Sequence, residues 1–183
     1  MEASEFVIKL KELTPSREKY IKSGASKEYI ERDIKSYQCN KRRNIVNEKM
    51  IYFKDAILDL IMQYDIKNIE IGMITFSNEI SEDFDYYYVG KDEVDPIVID
   101  KMTHEIKVIE HGTPDKHILA YCASSGARFL DALITCEAFL QKMGFDDPIT
   151  SDPKVVNEVI ELCTDKAGGE KYRAFYNMYL EIY

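Results

Sequence analysis

The sequence predicts an α+β domain in which a mainly antiparallel sheet of four to six strands packs with helices. Three observations carry this expectation. Short β-forming runs bounded by Gly, Pro and acidic turn residues fill residues 69–122. A stripe of Phe129, Leu133, Cys136 and Leu140 follows at helical spacing, as a helix packed on a sheet requires. The first 43 residues read as short helices punctuated by Pro15 and Gly24. A chain of 183 residues fits one domain over 1–183, with a helical N-terminal segment at 1–64 and a helical C-terminal extension at 150–183.

In chain order, Thr14-Pro15 is a helix start signal, because Pro is pre-organised for the first helical position. Gly24 ends that segment and Ser26 caps SKEYIERDIKSY. The basic run Lys41-Arg42-Arg43 sits in a polar break. Ile57, Leu58 and Ile61 mark a helix between Asp55 and Tyr64, while MIYF at 50–53 is a candidate strand. IEIGMITF at 69–76 alternates and reads as one strand, followed by an acidic break, SNEISEDFD, at 77–85. YYYV ends at Gly90, PIVI follows an acidic turn, and EIKVIE returns after a loop at 100–104. Tight turns between three short strands make an antiparallel meander, to which HILAYC at 117–122 adds another strand. Ser124 or Ser125 caps the long helix, and Asp152-Pro153 opens another with Val155, Val156, Val159 and Ile160 inward. Tyr172, Phe175, Tyr176 and Tyr179 form a final aromatic stripe that Ile182 and Tyr183 finish. Such a stripe is core or interface, so the chain is expected as a monomer or a homodimer.

Hydrophobic content of 45% and charged content of 31% describe a soluble globular protein. No apolar run approaches the roughly 18 residues of a membrane helix. MEASEFVIKLKEL lacks the basic start and small-residue cleavage site of a secretory signal, so a cytoplasmic location is expected. The four cysteines form no CxxC and read as reduced thiols. The net charge is −9, unevenly spread: residues 1–43 carry 11 Lys/Arg against 7 Asp/Glu, and the rest 13 against 26. Such a surface repels nucleic acid and suits a basic protein partner.

Asp92, Glu93, Asp95, Asp100, His104 and Glu105 crowd one stretch, and Asp95, Asp100 and His104 are the sharpest metal candidates. Turn chemistry explains these acids without a ligand, and no ligand spacing is matched. His111 and His117 have no nucleophile elbow beside them. Cys122, just before a helix start, is the one candidate nucleophile, although buried structural cysteine is the commoner case. Gly168-Gly169 lacks a phosphate-loop frame. The expectation is therefore a non-enzymatic chain with no catalytic, cofactor or metal site. For partner binding the residues singled out are Glu79, Glu82, Asp83, Asp85, Asp92 and Glu93, read as one acidic edge around the YYYVG strand. Alternation leaves at least one of Tyr86, Tyr87 and Tyr88 on the outer face, and Tyr87 is taken as the aromatic anchor.

IEIGMITF, YYYVGKDEVDPIVIDKMTHEIKVIEHG and ASSGARFLDALITCEAFL together resemble the SUKH superfamily of immunity proteins. The family pattern falls on Gly90, Asp95-Pro96, Asp100 and Phe129-Leu130, over roughly residues 65–143. Tryptophan and an N-terminal Asn-Gly-Gly turn are missing, and AGGEKYRAFYNMYLEIY lies outside the match. The resemblance implies a SUKH-like α+β domain that binds and neutralises a cognate toxin inside the producing bacterial cell. Toxins met by this superfamily are often nucleases or nucleic-acid deaminases with basic grooves. Relatives that regulate eukaryotic cell-wall synthesis supply the alternative, a non-enzymatic adaptor.

Overall fold

A computed structural model describes residues 1–43, 54–145 and 147–181. Before the sheet come α1 (Ala3–Glu12), α2 (Arg17–Lys22), α3 (Lys27–Ser36), β1 (Asn40–Lys41), α4 (Ala56–Gln63) and β2 (Tyr64–Asp65). The sheet itself runs β3 (Glu70–Ile71), β4 (Ile74–Glu82), β5 (Tyr86–Asp92), β6 (Asp95–Asp100), β7 (Ile106–Ile109) and β8 (Ile118–Ala123). After it come α5 (Gly126–Gly144), α6 (Pro153–Ala167) and α7 (Arg173–Glu181), with short 3-10 turns at Pro148–Ser151 and Glu170–Tyr172. The six strands lie in chain order, each antiparallel to the next, so the expected meander is present. The pair β1–β2 forms a separate small ribbon. No helix among the described residues is long and apolar enough to cross a membrane.

Local chemistry sets the helix starts. Ser26 accepts from Tyr29 N–H, Ser125 from Arg128 N–H, and Asp152 from Lys154 N–H with Pro153 in the first turn. Thr14-Pro15 precedes its helix rather than opening it. Ser16 is the cap, because its hydroxyl accepts from Lys19 N–H and satisfies a donor that proline cannot reach. The candidate strand at 50–53 lies outside the described residues.

Two strand expectations need correction. IEIGMITF is a hairpin, not one strand: Glu70 pairs with Thr75 and Ile71 with Ile74. Gly72 makes the turn at φ +54°, and a Cβ there would overlap the Tyr179 hydroxyl. The acidic break is mostly strand, since β4 continues to Glu82 with Ser81 opposite Tyr88 and Glu82 opposite Tyr87. Its irregular register between Phe76 and Ser81 hides the alternation from a period-2 reading.

The helices and the inner sheet face share one core, including Phe6, Leu60, Phe76, Val89, Ile99 and Phe129. The C-terminal stripe belongs to it. Tyr172, Phe175, Tyr176 and Tyr179 are all buried, with Phe175 stacked on Tyr179 at 5.6 Å, so these four side chains offer no exposed dimer face. Ile182 and Tyr183 lie outside the described residues. Tyr176 donates to the Cys122 carbonyl of β8 at 2.8 Å, and Tyr179 donates to the Ile71 carbonyl of β3. One turn of α7 thus reaches both edge strands.

Asp55 joins the two helical blocks. It caps α4 through Ile57 N–H at 2.8 Å and also accepts from Gly126 N–H, at the start of α5, at 3.0 Å. A Cβ on Gly126 would overlap this carboxylate. Asp55→Ala leaves two buried donors open and is expected to lower unfolding free energy by about 2 kcal/mol in urea titration. Gly126→Ala should cost a similar amount. If both variants unfold at the wild-type midpoint, Asp55 is not the joint described.

Candidate functional site

The sheet face away from the main core is a lattice of tyrosines, lysines and acids. Register places Tyr88, Val98, Lys107 and Tyr121 in one row across β5–β8, with Tyr86 opposite Asp100 at the next step outward. Val98 and Ile109 are buried here without joining the main core, so they form an apolar floor under the polar layer. Lys107 and Lys171 lie over the Tyr121 ring at 5.4 and 4.4 Å, and Lys116 lies over Tyr86 at 5.4 Å. Ring faces attract these ammonium groups, and their stems cover apolar surface.

Asp83 organises the β4–β5 turn. One oxygen accepts from Asp85 and Tyr86 N–H, each at 2.9 Å. The other accepts from Tyr88 Oη at 2.6 Å and Lys116 Nζ at 2.8 Å. Burial alone would push this carboxyl up, but Lys116, the phenol and the two amides hold it well below the usual carboxylate range. Asp100 does the same for the β6–β7 turn. It accepts from Met102 and Thr103 N–H and pairs with Lys107 at 2.6 Å. Against the upward push of burial, those donors bring it down to about 2. Lys101 bridges the two turns, contacting Glu82 Oε2 and the Asp83 carbonyl at 2.5 Å each.

These tied turns hold two large apolar side chains in solvent: Phe84 is 94% exposed and Met102 is 90% exposed. Both stand at the same end of the sheet, where Lys101 N–H also donates to the Asp85 carbonyl. Neither was singled out from sequence. The available signal was a lone Phe inside an acidic turn, SEDFD.

The sequence-predicted site residues do not form one edge. A meander alternates its turns, so Glu82, Asp83 and Asp85 stand at one end of β5, and Asp92 and Glu93 at the other, roughly 20 Å away by strand rise. Glu82 pairs with Lys101, and Asp83 and Asp85 pair with Lys116, so cations from later loops offset much of the expected field. Glu79 is exposed in the irregular stretch of β4, and Glu93 is exposed in the β5–β6 turn at φ +51°. Asp92 turns inward and is buried; burial, then Glu93 and Asp95, raise its carboxyl. Tyr87 also points inward, 8% exposed, with Lys101 over its ring at 4.6 Å, so it is no surface anchor. The bulge between Tyr88 and Gly90 leaves Tyr86 and Tyr88 as the outer pair.

Asp95 and Asp100 occupy opposite ends of β6, roughly 16 Å apart by strand rise, too far to share one ion. Asp95 accepts from His111 N–H at 2.8 Å and locks the neighbouring loop. Among the described residues no group of three His, Cys, Asp or Glu side chains is placed to hold a metal. The Cys122 thiol is fully buried and pushed up by that burial, so the helix start beyond it does not activate it. No protein-family model, curated protein or solved structure matches the chain.

The depressed Asp83 and Asp100 carboxyls link this end of the sheet to pH. An acid held low in the fold contributes stability that is complete above the unfolded value near 4. For Asp100 that contribution is lost as pH falls from about 4 toward its folded value of about 2. Asp100→Asn should therefore lower the neutral-pH midpoint in urea and flatten the acid limb between pH 4 and 2. An unchanged acid slope would remove Asp100 from the lattice's energetics.

Proposed function

We propose that this chain is an immunity-type binding protein of the SUKH kind, which neutralises a basic toxin by direct contact inside the cell that makes it. The observation that carries the reading is the pair Phe84 and Met102, held nearly fully exposed on two turns whose backbones are tied by Asp83, Asp100 and Lys101. Interface hot spots need large apolar anchors ringed by groups that exclude water. Pre-tied turns also reduce the ordering cost of association. Tyr88 and Lys116 both hold Asp83, the residue before Phe84, and so supply polar groups next to that anchor from which a partner could complete such a ring.

Charge supports the same partner. The 13 Lys/Arg against 26 Asp/Glu beyond residue 43 suit a basic surface such as the substrate groove of a nuclease or nucleic-acid deaminase. Because Glu82, Asp83 and Asp85 are engaged within the chain, the acidity acts here on encounter rate and the anchors on residence time. The resemblance over residues 65–143 points to the same class.

The test uses an inactivated form of the protein encoded by the neighbouring reading frame, titrated by calorimetry and surface kinetics. Phe84→Ala and Met102→Ala should each weaken binding at least about tenfold through dissociation, equivalent to about 1.4 kcal/mol. Glu79→Lys should change the association rate and its salt dependence instead. If the neighbour binds and neither anchor matters, the interface lies elsewhere; if it does not bind, the immunity reading falls.

A further inference from the structure

A cleft of about 830 Å³ opens between α2–α3 and the C-terminal half of α5, with residues 67–75 along one side. It shares no residue with the sheet end that carries Phe84 and Met102. Three carboxylates line it, those of Asp33, Glu70 and Glu137, and two of them receive a phenol: Tyr20 donates to Asp33, and Tyr37 donates to Glu137. Glu137 is 5% exposed on an otherwise apolar face of α5. Neither Asp33 nor Glu137 has a cationic partner among the described residues. The exposed Arg32, Lys35 and Lys67 also line the cleft, yet none pairs with Asp33 or Glu137.

Aromatic rings stand beside these acids. Tyr20 meets Tyr29 edge to face at 6.3 Å and Phe145 at 5.2 Å. The chain already places cations on two of these rings, with Lys19 at 4.3 Å from Phe145 and Arg32 at 5.4 Å from Tyr29. Burying a carboxylate without a counter-charge is costly, and a ligand that brings the charge recovers that cost. An anion would meet Asp33, Glu137 and Glu70, whereas a guanidinium or ammonium would meet carboxylates and ring faces together.

We propose that this cleft binds an organic cation, a guanidinium or primary ammonium, with Glu137 and Asp33 holding the charge and the Tyr29–Tyr20–Phe145 wall holding the stem. A free amine and an arginine side chain of a peptide present the same group. Agmatine represents the first and N-acetyl-arginine amide the second. N-acetyl-citrulline amide is the neutral control of matching shape.

Burial drives the Glu137 carboxyl up to about 7, with Tyr37 and Gln141 opposing and Asp33 adding to the rise. The titratable and charged groups that line the cleft with it are Tyr20 of α2, Tyr29, Arg32, Asp33 and Lys35 of α3, Tyr37 at the end of α3, Lys67, and Glu70 of β3; no histidine lines the cleft. Cation binding draws on the ionised form, so it weakens as pH falls through about 7 and Glu137 takes up its proton.

The experiment titrates the full chain with each probe and follows backbone amide NMR shifts. The expected result is a saturable shift confined to residues 20–37, 67–75 and 137–145 with agmatine, with the blocked arginine, or with both, and none with the citrulline probe. Which cation saturates assigns the source. Asp33→Asn should weaken binding at least about tenfold, and lowering the wild-type sample from pH 8 to 5.5 should do the same. Glu137→Gln gives a third test where circular dichroism shows it folded. Absence of saturation with both cations, equal binding of the neutral probe, or wild-type affinity in folded Asp33→Asn with no pH dependence would each overturn the proposal.

Discussion

The architecture depends on two phenols of one helix turn. A six-stranded meander has two open edges, and each presents backbone groups that need partners or invite unwanted pairing. Tyr176 satisfies the Cys122 carbonyl of β8 and Tyr179 that of Ile71 in β3, so α7 clamps the first and last strands at once. The clamp also explains Gly72. Only a residue without a side chain leaves room for the Tyr179 hydroxyl at that turn. The helix after the sheet therefore shapes the hairpin before it, and a sequence window cannot reveal a constraint that spans 108 residues.

The two sheet faces follow different physics. The inner face is held by apolar burial, with helices from both sides of the sheet in the sequence sharing one core. The outer face is held by paired charges on an apolar floor of Val98 and Ile109, where lysine stems lie across tyrosine rings. Exposed ion pairs contribute little singly, but a network that fixes turns has a geometric effect out of proportion to its energy. It leaves the turn tips as the part of this surface free to present Phe84 and Met102.

Much of the fold was legible from local chemistry. Ser26, Ser125 and Asp152 cap their helices as their types and spacing indicate. The β5–β6–β7 meander follows from short β-rich runs and tight turns. What failed was long-range. β4 runs through an acidic stretch because β5 pairs with it, which overrides composition. Tyr87 faces inward because a bulge at Tyr88–Gly90 and the β4 register, not the residue type, set the face. The acidic edge dissolved because turn acids adjacent in sequence lie at opposite ends of a strand, and because Lys101 and Lys116 come from later loops. Glu137 was also passed over. It is the one acid between Ala132 and Leu140, and a lone charge on an apolar helix face was its only visible signal.

The phenol–carboxylate contacts have an optical consequence. The chain has 13 tyrosines and no tryptophan, so its ultraviolet emission comes from phenols with no indole to mask them. Among the described residues, phenols donate to carboxylates from Tyr20 to Asp33, Tyr37 to Glu137, Tyr88 to Asp83 and Tyr172 to Glu105. An excited phenol is a far stronger acid than its ground state and passes its proton to such an acceptor, which quenches it. The folded molecule is therefore dim at these four positions, and brightening reports the opening of a contact. Tyr20 and Tyr37 report on the cleft, Tyr88 on the β4–β5 turn, and Tyr172 on the junction of β7 with the C-terminal helices.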